Sequence, residues 1–85
     1  MREYKIIFAR SARKELQALD AWLVNRIYPA IEALAKEPRP RGCRKLHMED
    51  NLWRIKVGDY RVLYGVYDDQ SLVDIVAVRH RSEAY

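Results

Sequence analysis

Cysteine, glycine and proline are scarce in this chain: one, three and three among 85 residues. The lone thiol, Cys43, excludes an internal disulfide and fits a reducing, cytoplasmic setting. Only His47 lies near it at ligand-like spacing, so Cys43 reads as a passive thiol. No apolar run approaches the roughly 18 residues that span a bilayer. The opening Met1-Arg2-Glu3-Tyr4-Lys5 lacks the apolar core of a signal peptide. There is no Gly-rich phosphate loop and no Asp/Glu/His group at metal spacing. Nucleotide-driven and metal-dependent chemistry are therefore not expected, and neither is a cofactor or a membrane partner. With 49% hydrophobic residues the chain folds rather than stays disordered. Its length supports one domain, residues 1–85, with one modest core.

Charge is unevenly placed. Between Arg39 and Arg61 stand seven basic residues (Arg39, Arg41, Arg44, Lys45, Arg54, Lys56, Arg61) against three acids, Glu49, Asp50 and Asp59. That segment carries the whole formal charge of +4. A concentrated basic patch is the footprint of a nucleic-acid ligand or an acidic protein partner.

The stretch Trp53–Tyr67, WRIKVGDYRVLYGVY, organises the rest. Gly58-Asp59 is a two-residue loop of the Gly-X kind, which favours a type II′ hairpin turn. Val57 then pairs with Tyr60, Lys56 with Arg61, Ile55 with Val62, Arg54 with Leu63 and Trp53 with Tyr64. Alternation puts Trp53, Ile55, Val57, Tyr60, Val62 and Tyr64 on a core face, and Arg54, Lys56 and Arg61 on the other. Like charges directly opposite each other destabilise a strand pair by up to about 1 kcal/mol. Three cations with no acid between them, and no carboxylate expected nearby, read as a site for a phosphate.

Elsewhere, residues 2–8 alternate as a strand. Ser11 is positioned as an N-cap, with Ala12, Leu16, Leu19 and Leu23 at helical spacing. Asp20 is placed to cap a second helix with inner face Leu23, Ile27, Ile31 and Leu34. Two helices and one bent helix both fit, and Pro29 implies a kink. Glu37 to Gly42 is irregular, residues 44–47 form a short strand, and a turn follows at 48–51. Asp68 to Ser71 is a further turn, Leu72 to Val78 a buried strand, and Arg79 to Tyr85 a tail. The predicted fold is α+β: an N-terminal strand, a helical pair on one sheet face, then an antiparallel meander of three or four strands with its cationic face open.

Lys45-Leu46, WRIKVGDYRVLY over 53–64 and HRSEAY over 80–85 together resemble the RelE/ParE superfamily of toxins from type II toxin–antitoxin pairs. The order of elements matches along the whole chain. The resemblance implies either an mRNA endoribonuclease acting on the ribosome, or a gyrase inhibitor without nuclease activity. An acidic antitoxin is implied as partner, in a hetero-oligomer. The nuclease branch is marked by sheet cations with a tail arginine and tyrosine, matched here by Arg54, Lys56, Arg61, Arg79 and Tyr85. Arg44, Lys45, His80 and Arg81 are implied as further RNA contacts. Arg54 stands where the familiar pattern has lysine, and arginine does not serve as a base.

Metal-free RNA cleavage needs a base for the 2′-OH, an acid for the leaving oxygen and donors for the phosphorane. The cations supply donors. Tyr85, Lys56 and His80, in that order, stand as candidates for the base. Tyrosine and lysine titrate near 10 and need cationic surroundings to act at neutral pH, whereas histidine titrates near 6.5. Strand alternation alone does not settle the face of Arg79, since a bulge would change it.

Overall fold

The computed structural model describes residues 3–46 and 50–83. Its elements are β1 (Lys5–Phe8), α1 (Arg10–Gln17), α2 (Ala21–Ala33), β2 (Arg44–Lys45), β3 (Trp53–Val57), β4 (Tyr60–Tyr67) and β5 (Leu72–His80), with a 3-10 turn at Asp68–Gln70. The strands form one sheet in the order β1-β5-β4-β3-β2. β2 to β5 are an antiparallel meander, and β1 returns parallel to β5, so the sheet is mixed. Among the described residues no helix is long and apolar enough to cross a membrane.

Alternation places Tyr4, Ile6 and Phe8 against the core. The helical repeat of Leu23, Ile27, Ile31 and Leu34 seats α2 on the same sheet face, against Ile55, Val62, Tyr64, Val66, Val73 and Ile75. There are two helices rather than one bent one. Pro29 lies inside α2 without ending it. Both Pro29 and Asn25, whose carbonyl loses its helical donor, are exposed, so water can bond the freed oxygen.

One expectation fails at Ser11. The N-cap of α1 is Ala9, and the Ser11 hydroxyl instead donates to the Val76 carbonyl at 2.7 Å. β1 stops at Phe8, opposite Ile75, so the outer edge of β5 beyond that point has no strand beside it. α1 covers this edge with side chains: Ser11 bonds Val76, and Glu15 Oε1 accepts from the Val78 N–H at 2.9 Å. Asn51 does the same beyond the start of β3. Its amide donates to the Val66 carbonyl at 2.8 Å and accepts from the Val66 N–H at 3.2 Å, standing in for a peptide unit.

The expected strand over 44–47 is the two-residue β2; His47 and most of the turn over 48–51 lie outside the described residues. The Pro-rich loop is pinned from two sides. Tyr64 donates to the Pro38 carbonyl at 2.7 Å, and Arg39 forks onto Asp68 at 2.9 and 3.2 Å while lying 5.0 Å over the Trp53 ring. Held by Asp68 and laid over Trp53, this cation serves the scaffold and not the basic face, and hydrogen bonding to Asp68 raises its pKa. Trp53 is consequently half-buried beneath that loop rather than fully enclosed.

Asp74 faces Gly65 across the β4–β5 ladder, and burial raises its carboxyl pKa. A raised acid pKa means that the folded protein holds a proton which the unfolded chain has released, so stability falls as pH climbs above the unfolded value of 3.8. Asp74→Asn is expected to raise the melting temperature slightly at pH 7. The gain should vanish at pH 3, which a pair of thermal melts would check.

Candidate active site

The hairpin forms with the register read from its loop. Val57 to Trp53 pair with Tyr60 to Tyr64, and Gly58 alone in the turn has positive φ, +59°, as a type II′ turn demands. A side chain at Gly58 would be strained by the positive φ, although it would meet the Arg26 guanidinium only at ordinary contact distance.

The position of Arg79 is set by a bulge. Leu63 pairs with Ala77 and Tyr64 with Ile75, leaving Val76 unmatched. The extra residue reverses the alternation of β5, so that Val78 joins Val62 on the core face and Arg79 falls opposite Arg61. The face turned away from the helices therefore carries a row across three adjacent strands, Lys56–Arg61–Arg79. One step along the strands, roughly 7 Å away, lies a second row, Arg44–Arg54–Leu63–Ala77.

Within the first row Lys56 is exposed. Arg61 is half-buried, with Nη1 turned toward the Tyr60 and Gly58 carbonyls at 3.2 and 3.4 Å. Among the described residues neither has a carboxylate partner. Arg79 does, against expectation: its Nε donates to Glu15 Oε2 at 2.8 Å. The carboxylate arrives from α1, sixty-four positions away in the chain, because α1 must cover the bare edge of β5. In the second row Arg54 is only 8% exposed, and Leu63 and Ala77 form an apolar floor beside it.

Other expected site residues are dispersed. Lys45 pairs with Trp53, so it belongs to the opposite face from Arg44. His80 pairs with Tyr60 on the helix-covered face, edge to face at 5.5 Å, away from the cation row. Its Nδ1 accepts from the Ser82 N–H at 3.3 Å and lies 2.9 Å from the Ser82 hydroxyl. This puts the proton of the neutral ring on Nε2. Arg81 is exposed just past β5, its N–H bonded to the Asp59 carbonyl at 2.7 Å. Tyr85 lies outside the described residues.

A small mixed sheet carries a helical pair on one face and, on the other, a row of three cations of which Arg79 alone has a carboxylate partner among the described residues. Comparison gives the class. The family model described as the ParE toxin of the type II toxin–antitoxin system, parDE, matches residues 6–85. The chain thus belongs to the RelE/ParE superfamily of type II toxins. It is similar to the toxin–antitoxin complex RelBE2 of Mycobacterium tuberculosis, at 27% identity and TM-score 0.83 over 98% of this chain and 97% of that one. It is likewise similar to the archaeal RelE–RelB complex of Pyrococcus horikoshii OT3, at 29% identity and TM-score 0.82 over 96% and 99%. The intact Escherichia coli RelBE complex shares the fold, at 24% identity and TM-score 0.80 over 91% and 95%. No curated protein gives a match.

Proposed function

We propose that this toxin is a metal-independent endoribonuclease that cleaves mRNA on the ribosome and so halts translation in the cytoplasm. The observation that carries this reading is the row Lys56–Arg61–Arg79. Three adjacent strands, about 4.8 Å apart, present three cations to one place, which suits the non-bridging oxygens of a single phosphodiester.

In the reaction the 2′-oxygen attacks the neighbouring phosphorus and the bond to the 5′-oxygen breaks. A base takes the 2′ proton and an acid returns one to the leaving oxygen, leaving a 2′,3′-cyclic phosphate and a 5′-OH. Arg61 and Arg79 stabilise the phosphorane, with Arg54 and Arg44 holding the next phosphate along the strand. Tyr85 remains the first candidate for the base and Lys56, exposed on the row, the second. His80 is less suited, since its bonds and its face turn it from the phosphate. Mapping the 5′ ends of cellular mRNA after induction tests the proposal: new 5′-OH ends within coding regions are expected, and unchanged ends would sink it.

The alternative, a non-enzymatic inhibitor of DNA gyrase, is favoured by the family model's description as a ParE toxin. Inhibition of gyrase supercoiling by the purified toxin, with mRNA left intact, would make it the better account.

Under either reading we expect an acidic antitoxin as partner, a proposal supported by the basic rows and by the occurrence of similar toxins in the RelBE2 and RelE–RelB complexes. Occlusion of the basic rows by that partner would make RNA and antitoxin compete. Two neutralised phosphates on single-stranded RNA give a plot of log K against log salt with a slope of about −1.4. A slope near zero in a fluorescence titration would show that the cations do not hold phosphates.

A further inference from the structure

Arg79 ends the cation row, and the group that holds it comes from the helix beside the sheet edge. We infer that Glu15 is the positioning residue for Arg79, an inference that rests on the ribonuclease reading. The Glu15 carboxylate is divided between consecutive residues of β5: Oε1 accepts from the Val78 N–H at 2.9 Å, and Oε2 accepts from Arg79 Nε at 2.8 Å. One of these bonds is to backbone, so the guanidinium is referenced to the strand itself and not only to another side chain.

Gripping an arginine at Nε leaves its two terminal nitrogens for a ligand, and among the described residues they have no acceptor. A free arginine side chain loses rotamer entropy when it is ordered. An arginine ordered in advance does not incur that cost as charge develops on the phosphorane. The carboxylate also relieves the repulsion between Arg61 and Arg79, which stand directly opposite. The pair is half-buried, with side chains 41% and 29% exposed, so solvent screens it less than a surface pair. Glu83 and His80 line the same cleft, but Glu83 makes no side-chain bond among the described residues.

Glu15 also closes the strand edge, and the test must separate the two roles. Glu15→Gln keeps an oxygen for the Val78 N–H but turns an amide donor toward Arg79, so the edge stays closed and the anchor is lost. The melting temperature should change little, while the Arg79 Nε–H resonance in ¹⁵N-labelled toxin loses its protection from exchange. Single-turnover cleavage of ribosome-bound mRNA should fall by about 10–10²-fold, the range for a displaced catalytic group. Affinity for a 2′-deoxy substrate analogue should hold. In an Arg79→Ala background the same change should cost nothing further, because the two act as one unit. Glu83→Gln, which removes an equal charge from the cleft, should leave the rate unchanged. A folded Glu15→Gln toxin with full activity, or a loss that adds to that of Arg79→Ala, would overturn the inference alone. A wild-type toxin with a protected Arg79 resonance and no RNA cleavage would overturn the ribonuclease reading, and this role with it.

Discussion

Arg61→Ala is expected to lower cleavage by about 10²–10³-fold, the usual loss on removing one preorganised donor to a developing oxyanion. Expressed in cells, the variant should be close to harmless. Arg61 is the middle member of the cation row, with Lys56 on one side and Arg79 on the other. Its bonds to the Gly58 and Tyr60 carbonyls are long, at 3.4 and 3.2 Å; the first is exposed, where water replaces it, and the second part-buried. Loss of two like-charge neighbours offsets what those bonds contribute, so stability should stay within about 1 kcal/mol. Growth assays beside thermal melts separate the outcomes. A variant that is inactive because it is unfolded would make Arg61 structural. A folded and fully toxic one would remove the cation row from the mechanism and favour gyrase.

Tyr64→Ala should remove a large share of the stability. Tyr64 is fully buried beside Val62, Ile75 and the α2 face, and its hydroxyl holds the Pro38 carbonyl at 2.7 Å. Removing a buried aromatic costs about 3–5 kcal/mol, against a total stability of about 5–15 kcal/mol for a domain. Trp53→Ala should cost less, since Trp53 is only half-buried. Tyr64→Phe isolates the hydroxyl and should cost about 1 kcal/mol. It also has a pH signature. Burial raises the Tyr64 pKa above its unfolded value of 10.0, so above pH 10 the unfolded chain loses a proton that the native one retains. That contribution makes stability fall with rising pH, and Tyr64→Phe should flatten the alkaline slope. Denaturant titrations at pH 8 and pH 10.5 would show it. An equal slope in both proteins would mean that Tyr64 is not sealed from solvent.

Local rules made the hairpin, the helical region and the cationic face legible, but left open whether that region was two helices or one bent one. A two-residue loop leaves one register, a strand has a period of two, and the α2 repeat presents one apolar stripe; each is a property of neighbouring residues. The same rules could not reach Ser11 or Glu15. Ser before a helical repeat reads as an N-cap, and Glu15 reads as one more charge on a solvated helix face. Both are instead recruited to an edge that exists only because β1 is shorter than β5 and runs parallel to it.

The sequence by itself determined the fold class and the pairing of Lys56 with Arg61, because side-chain alternation and turn geometry are local, and its motifs over 53–64 and 80–85 carried the resemblance to the toxin family. Tertiary structure alone decided which cations meet. The bulge at Val76 turns Arg79 to Arg61 and leaves His80 with Tyr60, since one added residue exchanges the two faces of everything after it. It also decided which cations are already paired. Arg39 with Asp68 and Arg79 with Glu15 are 29 and 64 residues apart, and only the packed chain brings such charges within bonding distance.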